Sequence, residues 1–109
     1  MIPTFGNNEI IVIDHLTPKF TSYFIDDIVL ATNPYEEDSL ISKRVIQTPA
    51  NPVLSTLTGE TIQLPLDHFW LEGDNKDFSL DSRHLGPVSS YHLKGRVIAT
   101  LYPNPKLLL

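Results

Sequence analysis

Cysteine is absent from the 109 residues, which excludes disulfides, thiolate metal sites and a cysteine nucleophile. Positive charge is scarce: 8 Lys and Arg face 13 Asp and Glu, for a formal net charge of -5. A general nucleic-acid binder needs a basic face, so no nucleic-acid partner is expected. No run of like charge stands out, and the acids read as a solvated surface. No apolar stretch approaches the roughly 18 residues of a spanning helix. The opening "MIPTFGNNE" is neither a secretory signal nor a basic amphipathic presequence. Glycine-rich phosphate loops, paired-histidine metal motifs and Asn-x-Ser/Thr sequons are all missing. No window holds helical periodicity over three turns.

What is present suits one β domain. Hydrophobic residues make up 41% of the chain, enough for a core at this length. Dense β-branched or alternating runs predict strands over Glu9 to Leu16, Asp26 to Thr32, Ser39 to Thr48, His68 to Gly73 and Gly95 to Tyr102. "VLSTL" and "TIQL" flank Gly59 and predict a hairpin. Nine prolines punctuate these runs, and "TNPYEEDS" and "TPANP" read as exposed loops. The expected fold is mainly β, a compact barrel or sandwich of short antiparallel strands with little helix.

Two stretches could carry chemistry. Lys43 and Arg44 interrupt the apolar strand "LISKRVI". Successive strand residues point to opposite faces. Either the strand lies at an edge with charges that block further pairing, or one of the two faces inward. An inward lysine would be desolvated towards its neutral form and could serve as a general base. The second stretch is "LEGDNKDFSLDSRHLGPV", Leu71 to Val88, polar and without rhythm behind an apolar strand. Asp81 and Arg83 can point the same way in an extended segment and pair, Asp74 can meet a base from another strand, and Ser79 and Ser82 supply hydroxyls. A turn held by local side-chain bonds is the plain alternative. His15, His68, His84 and His92 are weak metal ligands on their spacing, and no metal site is expected.

These residues resemble the type I signal peptidase family. Gly73, Asp74, Asn75, Lys76, Ser79, Asp81, Ser82, Arg83, Gly86 and Val88 match its last box, GDN followed by SxDSR and G-x-V. "LPLDHFWLEGDN" is similar to the preceding "VPxGHxWxxGDN", with Asp67 where glycine is usual. "DDIVLA" resembles "GDIV", with Asp26 in place of glycine, and "KGRV" fits a later "GR". "SKRVI" resembles the Lys-Arg box, which normally continues to Gly-Asp; Ala50 and Asn51 stand there instead, and Gln47 replaces another common glycine. Met1, Pro3 and Thr4 match the residues after the serine in the nucleophile box Ser-Met-x-Pro-Thr. Within the family, the compact spacing resembles the mitochondrial inner membrane peptidases, and "DSR" the subunit 1 type.

The resemblance implies a serine endopeptidase with a Ser/Lys dyad and no cofactor. Lys43 would be the base and Ser79 would orient it. Asp74 would brace Arg44, and Asp81 would brace Arg83. The expected substrates are precursor polypeptides bound as extended presequence segments on the intermembrane-space side of the inner membrane. A second peptidase subunit is an expected partner. Residues 1–109 read as a single catalytic domain whose serine would precede Met1, with the membrane anchor further upstream. As it stands the chain is therefore expected to be inactive. A non-catalytic subunit or paralogue that binds an active peptidase is the alternative.

Overall fold

A computed structural model describes residues 10–16, 22–33, 36–74, 81–102 and 106–107. The chain order is β1 (Ile10–Asp14), β2 (Ile28–Asn33), β3 (Glu36–Gln47), β4 (Pro52–Leu54), β5 (Thr61–Gln63), β6 (His68–Glu72), helix α1 (Ser82–Leu85), β7 (Val88–Ser89), a 3-10 turn (Ser90–His92), β8 (Leu93–Tyr102) and β9 (Lys106–Leu107). Seven strands form one antiparallel sheet in the order β1-β8-β2-β3-β6-β7, with β9 also paired to β8. The hairpin β4-β5 is a second, two-stranded sheet. This is the expected mainly β, sandwich-like domain.

Period-2 alternation distributes the apolar side chains between the two faces. On one face Val29, Ala31, Val45, Phe69, Leu71 and Leu93 form the largest buried cluster, joined by Tyr23, Ile41 and Val88. On the other face Ile28, Leu30 and Val97 pack under Ile11 and Ile13 of β1. The hairpin covers the rest of that sheet through Val53, Leu64 and Trp70. Each fully buried aliphatic side chain of this kind contributes roughly 1.5–3 kcal/mol. Gly95 lets β1 lie close over β8: a Cβ there would stand 2.5 Å from Ile13 Cγ2 and 3.2 Å from the Asp14 carbonyl oxygen.

Several sequence expectations need correction. β3 lies between β2 and β6 from Arg44 onward, so the edge-strand explanation fails for Arg44, while Lys43 pairs with Val29 of β2 where the β6 ladder begins. "TNPYEEDS" is not loop throughout, since β3 begins at Glu36. Extended pairing with β2 outweighs the acidic composition there, and Leu40 stands opposite Thr32. The polar stretch after β6 contains a helical turn at Ser82–Leu85, too short to leave a periodic signal.

Among the described residues, three without glycine's freedom adopt left-handed backbone: Asp26 (φ 74°), Ala50 (φ 65°) and Asp67 (φ 59°). All three stand where the resemblance expects glycine. Each carbonyl is fixed from elsewhere. Arg44 Nη1 donates to Asp26 O at 3.0 Å and Gln63 Nε2 to Ala50 O at 2.7 Å, while Ser90 N–H donates to Asp67 O at 2.7 Å. Aspartate tolerates this region better than alanine does, because its side chain can bond locally. Ala50→Gly is therefore expected to stabilise the fold by roughly 0.5–1 kcal/mol, the relief of left-handed strain exceeding the added chain entropy. Urea unfolding checks this: an unchanged or lower midpoint contradicts it.

At the other end of the sheet, Arg96 reaches Asp14 at 3.5 Å and Asp27 at 3.8 Å. Tyr23 packs edge-on against Phe69, with ring centroids 5.8 Å apart. Burial raises the Tyr23 pKa above its usual 10.0, and the Asp14 and Asp27 carboxylates add to the rise against the opposing pull of Arg96. The folded state thus holds the phenolic proton more tightly than the unfolded chain does. Its contribution is complete below about pH 10 and is lost as pH climbs through the raised folded value. Tyr23→Phe is expected to flatten the loss of stability between about pH 9 and pH 11. Denaturant midpoints at both pH values decide it, and equal slopes for the two proteins would refute it.

Candidate functional site

Lys43 and Arg44 occupy the middle of β3 and point to opposite faces. Lys43 shares the face of Ile41 and Val45, where the largest apolar cluster lies. It is half-buried and lines a cavity of about 670 Å³. The cavity wall includes Ala31 and Thr32 of β2, Leu71 of β6, Asp81 and Ser82 at the start of α1, and Lys94 of β8. Its lining is thus mostly sheet, with one helical turn closing a side.

Arg44 is held from two directions. Its Nε donates to Asp74 Oδ1 at 2.9 Å and its Nη2 to Asp74 Oδ2 at 3.0 Å, a two-pronged match of guanidinium to carboxylate. Its Nη1 reaches back to the Asp26 carbonyl. The Asp74 hydrogen bond raises the Arg44 pKa further, against a smaller opposing effect of burial. One residue therefore joins the entry of β2, the middle of β3 and the segment leaving β6.

Asp81 is the second node. Its side chain is fully buried, and that of Arg83 is 7% exposed. Arg83 Nε donates to Oδ1 at 3.0 Å and Nη2 to Oδ2 at 3.2 Å. Gly73 N–H donates to Oδ2 at 2.9 Å. Asp81 is also the N-cap of α1, where its Oδ1 accepts from Arg83 N–H at 3.1 Å, a favourable use of a short acid. The pairing of Asp81 with Arg83 thus arises at a helix start and not along an extended segment.

Several candidates fall elsewhere. Ser79, Met1, Pro3 and Thr4 lie outside the described residues. His15 Nδ1 donates to Lys94 O at 2.7 Å and His68 Nδ1 to Leu66 O at 2.8 Å, while His92 Nδ1 pairs with Thr32 Oγ1 at 2.9 Å. Among the described residues no three His, Asp or Glu groups gather as a metal site. Sequence reasoning passed over a buried pair on β6: Trp70 Nε1 donates to Glu72 Oε2 at 2.8 Å. Glu72 is 6% exposed and stands directly across from Arg44. The i, i+2 spacing of Trp70 and Glu72 on one strand face was the available signal.

A model of the family described as signal peptidase, peptidase S26, matches residues 50–102. The mitochondrial inner membrane protease subunit 1 of Schizosaccharomyces pombe is 36% identical, over 96% of this chain and 69% of that protein. The chain belongs to the signal peptidase family. Subunit 1 of Mus musculus is also 36% identical, over 94% of this chain and 64% of its own length. The subunit 2 protein of Schizosaccharomyces pombe is 34% identical over 71% of the chain. The chain thus spans about two thirds of the length of these subunit 1 relatives. In this signal peptidase chain, the matched region takes in the hairpin, β6, the Asp81 node and β8, while Lys43 and Arg44 precede it.

Proposed function

We propose that residues 1–109 act as the catalytic β domain of a presequence-processing serine endopeptidase in which Lys43 is the general base. The observation that carries this reading is the placement of Lys43, half-buried on the apolar face of a central strand and open to a cavity. Desolvation favours the neutral amine that a base must be. The nucleophile would be a serine directly ahead of Met1. Its hydroxyl attacks the scissile carbonyl while Lys43 Nζ takes the proton. As the tetrahedral intermediate collapses, the lysine returns that proton to the departing amine. Lys43 then deprotonates the water that releases the acyl group, and the serine is regenerated. Ser79 would orient the amine. Asp74 and Asp26, through Arg44, hold the strand that presents it.

The substrate would lie extended against the strands bordering the cavity and gain main-chain hydrogen bonds. The names of the relatives support a place at the mitochondrial inner membrane, and likeness to both subunit types supports a second peptidase subunit as partner. Among the described residues no helix is long and apolar enough to cross a membrane.

The dyad requires a serine codon immediately before Met1 in the reading frame; any other residue there overturns it. With that serine present, the protein is expected to cleave a synthetic presequence peptide at one bond. Residues 1–109 alone are expected to cleave nothing. Turnover by the 109-residue chain would contradict the assignment and favour chemistry from another group.

A further inference from the structure

The sheet around Lys43 has an irregularity that backbone pairing alone does not control. β3 and β6 pair at Arg44–Glu72 and Val45–Leu71, then slip, so that Gln47 faces Trp70 and Ile46 is the extra residue. A bulge loosens the ladder where it occurs, and this one begins within three residues of Lys43. The outer edge of β6 is also unusual. β7 pairs only with His68 and Phe69. Beyond that point the edge continues through Leu71 and Gly73, whose N–H groups meet side chains instead of a strand. Leu71 N–H donates to Ser82 Oγ at 2.9 Å and Gly73 N–H to Asp81 Oδ2 at 2.9 Å. Two successive residues thus cover two alternate main-chain donors, as a short neighbouring strand would.

Ser82 is 1% exposed and has no part in the proton transfers above. Its bond fixes Leu71, which lies across from Val45, packs with it in the core and walls the cavity that Lys43 faces. We propose that Ser82 is a positioning residue for catalysis: by accepting from Leu71 N–H it sets the β3–β6 register at the bulge and thereby the placement of Lys43. This rests on Lys43 acting as the base. Losing the acceptor leaves a buried N–H unsatisfied, and a shift of β6 relative to β3 relieves it. Small displacements of a reacting group are costly.

The test uses the full protein, serine included, with kcat expressed per active serine titrated by a covalent serine-directed probe. Ser82→Ala is expected to lower kcat roughly ten- to a hundredfold with KM changed less than about twofold. Ser82→Thr keeps the hydroxyl and has the cavity beside it for its methyl group, so it is expected to recover most of the loss. Ser82→Cys, a near-isostere with a weak acceptor, provides a folded intermediate case if the alanine variant does not fold, and its kcat should lie between. A lower melting temperature with unchanged kcat per active serine in the alanine or cysteine variant would show a purely structural serine and overturn the proposal. Lys43→Ala separates the two claims. If it retains activity, the base assignment fails; if it is inactive while Ser82→Ala turns over normally, only the positioning role fails.

Discussion

Lys43→Ala, in the protein carrying the serine ahead of Met1, is expected to reduce presequence cleavage by about a thousandfold, within the usual range for loss of a general base. Folding should be little affected. The residue that ties β3 into its surroundings is the next one: Arg44 holds Asp74 and the Asp26 carbonyl on the opposite face. Val45 keeps its place in the core, fully buried. Truncating the half-buried lysine removes the packing of its stem and the contacts of its amine, while the core residues around it stay in place. Lys43→Arg is expected to be as inactive as the alanine variant, because a guanidinium does not give up its proton near neutral pH. Single-turnover cleavage alongside thermal unfolding separates chemistry from stability. A rate within tenfold of the parent protein would remove Lys43 from the mechanism.

Asp81→Ala is expected to destabilise the fold by about 3–5 kcal/mol, the usual cost of breaking a buried ion pair from one side. Arg83 would keep a nearly buried charge with its fork of acceptors gone. Gly73 N–H would lose its acceptor, and α1 its cap. Domains of this kind have roughly 5–15 kcal/mol in total, so the alanine variant would lose a large share of its stability. Asp81→Asn makes the effect measurable. An amide oxygen can still cap α1 or accept from Gly73, but it no longer neutralises Arg83. Its loss should be about half as large, from the charge and from the one acceptor oxygen that the amide nitrogen replaces. Equal urea midpoints for Asp81→Asn and the parent protein would mean that charge contributes little at this node.

The strands were readable because alternation and β-branched residues report burial directly. Ile28 to Ala31 and Phe69 to Leu71 are buried as their pattern implies. The placement of β3 was not readable, since edge and centre differ in which strands pair with it, and Lys43-Arg44 is compatible with both. The partners of the site charges were proposed from the resemblance. The backbone that carries Asp81 was not, because four residues of helix are set by a cap and leave no period. Nor did sequence alone reveal that Ser82 substitutes for a neighbouring strand, since that depends on where β7 stops. The glycine departures at Asp26, Ala50 and Asp67 became interpretable only with their φ angles. Gln47 is the exception: it lies at the end of β3, its Nε2 donates to Pro52 O, and it is not among the residues of positive φ.

The pairing of β1 with β8 orders events during synthesis. Asp14 finds its partner only at Arg96, and Ile10 only at Tyr102. When a ribosome has made β1 through β7, the first strand is an apolar ribbon, "IIVID", with its intended neighbour not yet translated. Pairings this distant in sequence form late and slowly, and an unpaired strand is prone to wrong association in the interval. β2 waits on the same strand along its other edge. The sheet on which the lysine rests is therefore completed from its far end, and a nascent chain must be sheltered until β8 emerges.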